Sequence, residues 1–152
     1  MPSGSYDIEF GDTELRSTLD RLSAANNEEV NMVIIGCPHA SIHEIRRVAE
    51  LVAGRRVQAS SGLWLFTSVV TNAYAKRAGY KQVIESAGGR IICEMCPGTS
   101  WKNLFRNLGY RTLATNSARW AHGLPRGMGV EFHYGSLERC VEAAVQGRWA
   151  WR

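Results

Sequence analysis

The sequence predicts an α/β domain in which a parallel sheet is covered by helices on both faces. Short apolar runs alternate with amphipathic helical patterns along the chain, and glycines separate them. A chain that alternates strand and helix in this way needs crossover connections, and these produce a parallel sheet in three layers. We therefore expect one α/β domain over residues 1–152, with residues 1–6 flexible.

The first part of the chain predicts two helices on either side of a strand. Leucines at helical spacing predict an amphipathic helix over residues 12–25. The run 31–35 is short and apolar, as in a buried strand. Ser41 and Glu44 form a capping box, in which each side chain satisfies a free backbone N–H of the other, so a helix begins there and ends at Gly54.

The rest of the chain repeats this pattern. Each further strand is a short apolar run, and most further helices start at a hydroxyl or amide cap and stop at glycine. The predicted strands are the 63–66 end of the run 57–66, then 90–93, 112–114 and 130–133. The predicted helices run from Thr67 or Ser68 to Gly79, over 81–87, from Ser100 to Gly109, from Asn116 or Ser117 to Gly123, and over 136–146.

Composition and charge argue against a nucleic-acid-binding, a membrane-spanning or a secreted protein. The net charge is +4, but the basic residues are scattered among acidic ones, so no nucleic-acid groove is predicted. No apolar run approaches the roughly 18–20 residues of a membrane-spanning helix, and the N-terminus does not resemble a signal peptide. The four cysteines are then expected to be reduced thiols or metal ligands in a cytoplasmic protein.

Residues able to carry chemistry follow four of the predicted strands. In an open parallel sheet the ligand lies beyond the carboxyl ends of the strands. The residues placed there are Cys37, His39, Thr67, Ser68, Cys93, Cys96, Asn116 and Ser117. We therefore expect these side chains to converge on one site.

The cysteines at this edge fit three kinds of site. Cys93 and Cys96 form a C-x-x-C pair, which occurs in zinc sites, in iron–sulfur sites and in thiol redox proteins. Cys37 precedes a helix start, whose partial positive charge favours the thiolate. A closed zinc site would require a second paired motif, which the sequence lacks. Cys140 lies on an apolar helix stripe and is expected to be structural.

The polar residues suit a small anion. His39 is able to donate a hydrogen bond or a proton to a bound anion. Asn116 and Ser117 are good helix caps, and free backbone donors at such a helix start also bind carboxylate or phosphate. Arg119 adds a guanidinium fork that matches a carboxylate.

Four motifs resemble the catalytic subunit of aconitase X, a branch of the aconitase superfamily of iron–sulfur hydro-lyases. They are the run Gly36 to Ser41, the Cys96-Pro97 turn, the run Thr115 to Arg119 and the run Gly135 to Val141. The resemblance extends from about residue 30 to residue 147, with the motifs in the same order. Cys93 is an extra cysteine relative to the family pattern.

The resemblance implies an iron–sulfur-dependent dehydratase that acts on a small hydroxy acid such as hydroxyproline or phosphomevalonate. It implies an iron–sulfur cluster, or iron, bound by Cys37 and Cys96, with Cys93 as a candidate third ligand. The candidate catalytic residues are His39 and Ser117, and the candidate substrate-binding residues are Thr67, Ser68, Asn116 and Arg119. The motifs do not identify a catalytic base in this sequence.

The resemblance also implies partners, because family catalytic subunits are much longer and work with a small swivelling domain. The chain is then expected to be incomplete as an enzyme, needing a swivelling-domain subunit, a missing N-terminal catalytic region, or both. A fragment, a split subunit and an inactive relative all fit this expectation. Two other functions remain open: a non-catalytic metal- or cluster-binding module, and a thiol redox domain that uses Cys93 and Cys96.

Overall fold

The computed structural model describes residues 7–58, 60–96, 104–123 and 129–150. The elements in chain order are α1 (Asp12–Leu22), β1 (Met32–Ile35), α2 (Ile42–Val52), β2 (Gly62–Thr67), α3 (Val69–Arg77), α4 (Tyr80–Ser86), β3 (Arg90–Cys93), α5 (Leu104–Asn107), β4 (Thr112–Thr115), α6 (Ala118–Gly123), β5 (Glu131–Tyr134) and α7 (Leu137–Gln146). The strands form one sheet in the order β3-β2-β1-β4-β5, and every neighbouring pair is parallel. The predicted parallel-sheet α/β class is confirmed.

The two faces of the sheet carry separate hydrophobic clusters. Val33, Ile35 and Leu65 pack with residues of α2, α4 and α7. Ile34 and Phe66, which alternate with them along the strands, pack with residues of α1, α5 and α6 on the other face. Helices therefore cover both faces, and β1 is buried on both sides, as its continuous apolar run requires.

Sequence and structure differ most in the first helix. It ends at Leu22, whereas the sequence predicts an end near residue 25. The Ala25 amide donates to the Phe132 carbonyl of β5 at 3.1 Å, so Ala25 is bonded to the sheet and not to the helix. Leu22 is buried, whereas Leu15 and Leu19 are 43% and 40% exposed. The leucine spacing therefore indicated a helix correctly but overestimated how much of it is buried.

Some predictions concern residues outside the described ranges. They are the flexibility of residues 1–6, the Pro97 half of the Cys96-Pro97 turn, and the helix start at Ser100. No helix among the described residues is both long and apolar enough to cross a membrane.

The strand order fixes where a ligand can bind. From β1 the chain builds β2 and β3 on one side, and it then returns to add β4 and β5 on the other side. The connections after β1 and β4 therefore lie on opposite faces, which leaves a crevice outside the carboxyl ends of these two strands.

The end of the described chain is packed against β5 through His133. This side chain is fully buried, its Nε2 lies 2.8 Å from the Asn27 carbonyl oxygen, and its ring stacks on Trp149 with centroids 4.9 Å apart. The Arg139 guanidinium lies 4.5 Å from the centroid of Trp149. Burial lowers the pKa of His133, and the positive charge of Arg139 lowers it further, against the hydrogen bond to Asn27.

We expect His133 to make the protein less stable as the pH falls from about 7 to about 5. The folded protein binds this proton less tightly than the unfolded chain does, so protonation below the ordinary histidine pKa of about 6.5 favours unfolding. The free energy of unfolding, measured with urea at each pH, should fall by up to about 1.4 kcal/mol per pH unit. In His133→Gln the slope should be smaller, and an unchanged slope would contradict this assignment.

Candidate functional site

A cleft of about 350 Å³ lies at the carboxyl edge of the sheet, in the crevice beyond β1 and β4. It is lined by Gly36, Cys37, Pro38, His39, Met95, Cys96, Arg119 and Trp120. These residues come from three places: the loop after β1, the turn after β3, and α6, which follows β4. The volume suits a small-molecule ligand.

The loop after β1 is fastened to the end of β2. The Ala40 amide donates to the Phe66 carbonyl at 2.8 Å, and the Thr67 hydroxyl donates to the Ala40 carbonyl at 2.7 Å. Gly36 has a φ of +105°, and a Cβ atom there would lie 2.1 Å from the Phe66 carbonyl oxygen. Only glycine fits so close to the neighbouring strand.

The same loop is also fastened to the end of β4, through Ser117. The buried hydroxyl of Ser117 donates to the Cys37 carbonyl at 2.9 Å and accepts from the Trp120 amide at 3.4 Å. The Ser117 amide donates to the Thr115 hydroxyl at 3.1 Å. Ser117 therefore holds the backbone of Cys37 beside α6, and its catalytic role stays a prediction.

Glu94 shapes the turn after β3. It is a non-glycine residue with a φ of 54°, a conformation that costs about 1–2 kcal/mol. Its amide donates to the Thr67 carbonyl at 3.1 Å, and its carboxylate accepts from the Val69 amide at 2.8 Å. These bonds hold the turn that brings Met95 and Cys96 to the cleft. Nothing in the sequence around Glu94 predicts a left-handed residue, so this role could not be predicted from the sequence.

The three candidate metal ligands do not all reach the cleft. Cys37 is half-buried, Cys96 is exposed, and both line the cleft. Cys93 is the last residue of β3 and shares a face with Ile91, which packs against the α2 side of the sheet. Cys37 packs against the opposite core. The structure therefore brings Cys37 and Cys96 together and places Cys93 outside the cleft lining.

Cys140 has the structural position that the sequence predicts. It is fully buried in α7, and its thiol donates to the Gly135 carbonyl at 3.8 Å. Burial raises the pKa of this thiol to about 12. It is therefore neutral at physiological pH and unsuited to bind a metal.

The remaining polar candidates divide into two groups. His39 and Arg119 are exposed and line the cleft. Ser68 caps α3 by accepting from the Thr71 amide at 3.1 Å, and the Asn116 amide donates to Glu44 at 3.4 Å. Ser68, Asn116 and the buried Thr67 therefore bond to other parts of the protein and support the walls of the cleft. Direct contact of these three residues with a ligand stays a prediction.

Two thiols, those of Cys37 and Cys96, line the cleft. Two thiols from separate loops are the kind of donors that select iron–sulfur clusters or zinc. Within residues 7–58, 60–96, 104–123 and 129–150, no three histidine, cysteine or carboxylate side chains are grouped so as to hold a metal ion. Further ligands would have to come from elsewhere or from a rearranged turn.

The fold and the cleft define a parallel α/β domain with a cleft of small-molecule size at the switch point of its sheet. The family model of the aconitase X third domain matches residues 30–146. This match covers most of the chain and spans every loop that lines the cleft. The chain therefore belongs to the aconitase X family, which confirms the resemblance seen in its motifs.

Named relatives agree with this assignment. The chain is 35% identical over 135 residues to the phosphomevalonate dehydratase large subunit of Methanocaldococcus jannaschii, and it is 34% identical over 144 residues to the cis-3-hydroxy-L-proline dehydratase of Pseudomonas aeruginosa. These alignments cover 89% and 93% of this chain, but only 32% and 24% of the relatives. The chain thus spans a third or less of their length.

A solved structure has the same fold. The crystal structure of Thermococcus kodakaraensis aconitase X in its holo-form superposes with a TM-score of 0.73 at 29% sequence identity. The superposition covers 90% of this chain and 34% of that chain. The α/β domain of this chain therefore corresponds to a part of a larger architecture in that protein.

We expect Gly36→Ala to destabilise the protein by about 3 kcal/mol or more, because the new Cβ would collide with the β2 backbone. The control is Gly54→Ala. Gly54 also has a positive φ, +70°, but a Cβ there would meet nothing within 4 Å, so it should cost only about 1–2 kcal/mol. Urea unfolding measures both values. Equal losses of stability in the two variants would show that the close contact with the Phe66 carbonyl adds nothing to the cost of the positive φ.

We expect Ser117→Ala to loosen the backbone of Cys37, and to cost about 1–2 kcal/mol of stability. Ser136→Ala is the matched control, because the Ser136 hydroxyl caps α7 in the same way, by accepting from the Arg139 amide at 3.3 Å. Both variants should lose stability in urea. Alkylation of Cys37, followed residue by residue by mass spectrometry, should accelerate only in Ser117→Ala.

Proposed function

We propose that this chain is the third-domain part of an iron-dependent hydro-lyase that dehydrates a small hydroxy acid. The observation that carries the proposal is the convergence of two thiols, an arginine and a histidine on one cleft at the switch point of the sheet. Relatives that align with 89% and 93% of this chain, at 35% and 34% identity, are named as dehydratases of phosphomevalonate and of cis-3-hydroxy-L-proline. Both names fit a small substrate that carries a carboxylate.

Cys37 and Cys96 are the proposed iron ligands. They fit because soft thiolates prefer iron–sulfur clusters or iron, and because they reach the cleft from different loops. Cys93 stays a candidate third ligand, and the rest of the enzyme would supply the others. When bound, such an iron supplies a Lewis acid that polarises the leaving hydroxyl group.

Arg119 and His39 are the proposed partners of the substrate. The exposed guanidinium of Arg119 offers two parallel N–H donors to a carboxylate. His39, on the loop that bears Cys37, is placed to hold or donate a proton at the same ligand. Ser117 would act through the Cys37 carbonyl, by fixing the position of that ligand.

The active enzyme would need further walls for this cleft. The chain spans a third or less of the named relatives, and one of these relatives is a large subunit. We therefore propose that the remaining large-subunit domains, together with a small swivelling subunit, close the site around the substrate. Alone, this chain should bind iron without catalysing dehydration.

Anaerobic reconstitution with iron and sulfide tests the metal site. The wild-type chain should retain iron after desalting and show thiolate-to-iron absorption. Cys37→Ser and Cys96→Ser should each lose most of both signals, because each removes a ligand at the cleft. Cys140→Ala is the control that should retain iron, since that thiol is buried away from the cleft.

Two results would overturn the metal assignment. One is a colourless protein that binds stoichiometric zinc. The other is a reversible Cys93–Cys96 disulfide with no iron binding, which would favour a thiol redox domain. Cys93→Ser shows whether the third cysteine contributes. Dehydration of phosphomevalonate and of cis-3-hydroxy-L-proline should then appear only when the other domains are supplied.

A further inference from the structure

Helix α3 directs its large apolar side chains away from the core. Val69, Val70 and Tyr74 are 57%, 65% and 62% exposed, whereas Ala75 of the same nine-residue helix is fully buried. A surface helix normally turns its apolar stripe inward, and a cluster of exposed apolar side chains marks an interaction surface. We call the surface formed by Val69, Val70 and Tyr74 the docking face.

The docking face adjoins the cleft. Helix α3 begins at the Ser68 cap, directly after the carboxyl end of β2. The Val69 amide donates to the carboxylate of Glu94, which belongs to the turn that carries Cys96. A polypeptide seated on the docking face would therefore lie at the same edge of the sheet as the turn that carries Cys96.

We propose that another domain of an aconitase X large subunit covers the docking face. This inference rests on the proposed function, and it names the surface through which the missing walls attach. The family match is to a third domain, and the superposition covers only 34% of the T. kodakaraensis chain, so the rest of such a chain is available to supply the covering domain. In the described part of the chain, only three segments wall the cleft.

The chemistry of the occupant follows from the rim of the docking face. Lys76 and Arg77 are exposed in the last turn of α3, just beyond Tyr74. The covering domain should therefore present an apolar patch bordered by carboxylates. Aromatic anchors such as Tyr74 commonly carry a large share of the binding energy in interfaces of this kind.

The test uses the M. jannaschii phosphomevalonate dehydratase large subunit, expressed without the region that this chain matches, as a separate polypeptide whose folded state is first verified by circular dichroism and a cooperative urea transition. The intact chain should bind it, and the affinity is measured by isothermal titration calorimetry. Val70→Asp and Tyr74→Glu should each weaken binding by at least about tenfold. Neither change should unfold α3. In Val70→Asp the new carboxylate lies in the first turn, where the helix dipole favours a negative charge. In Tyr74→Glu the new carboxylate lies three residues before Arg77, at the spacing of a stabilising ion pair.

Two controls match these variants. Val70→Leu keeps the docking face apolar, and Leu108→Asp places a charge at an apolar residue that is 50% exposed and lies outside the face. Both should bind like the wild type. Iron binding by each isolated variant is measured in parallel. A variant that still binds iron but no longer binds the truncated large subunit has lost docking and not the metal site.

Three outcomes would overturn the proposal. The wild-type chain could fail to bind the truncated large subunit while still binding iron. Binding could be unaffected by Val70→Asp and Tyr74→Glu. Finally, analytical ultracentrifugation could show a dimer of this chain that Val70→Asp dissociates, which would assign the docking face to a second copy.

Discussion

The cleft depends on the hydrogen bonds that tie the loop after β1 to the ends of its two neighbouring strands. Ala40 is bonded through both its amide and its carbonyl to the end of β2, and the Cys37 carbonyl accepts from Ser117 beyond β4. Gly36 permits the close approach. A loop held at both sides moves little, so Cys37 and His39 keep their places relative to Arg119 without being part of a helix or strand. Such support is what a binding site needs from its surroundings.

The second half of the site is held differently. The turn after β3 uses a left-handed glutamate, and two hydrogen bonds to β2 and α3 offset the strain. Strain of this kind persists only where the surrounding structure fixes it, and it is concentrated at functional sites. The same glutamate links Cys96 to α3, whose apolar side chains face outward. The proposed metal ligand Cys96, the turn that carries it and the start of α3 are therefore connected at the edge of the sheet through Glu94.

Most of the fold could be predicted because its signals are local. The short apolar runs, the capping box at Ser41 and the serine caps at Ser68 and Ser136 each act within a few residues, and the strands lie within one or two residues of the predicted bounds. The site was harder. The spacing of Cys93 and Cys96 does not show which of them reaches a site, although the family motif favours Cys96. In the structure, strand alternation and the φ of Glu94 leave only Cys96 in the cleft lining. The Thr67 hydroxyl was placed at the correct edge, yet its hydrogen bond to Ala40 joins residues that are distant in sequence.

Periodicity, caps and contiguous motifs are properties of neighbouring residues, so the layer architecture, the family and the edge of the sheet that bears the candidate site could all be predicted from the amino-acid sequence. Which polar side chains face the cleft, and which support it, depends on the folded chain. Ser117, Thr67 and Asn116 all have partners that the chain brings near only when the sheet assembles. The direction of a side chain at the edge of a parallel sheet depends on such long-range hydrogen bonds, and these cannot be predicted from residue spacing along the sequence.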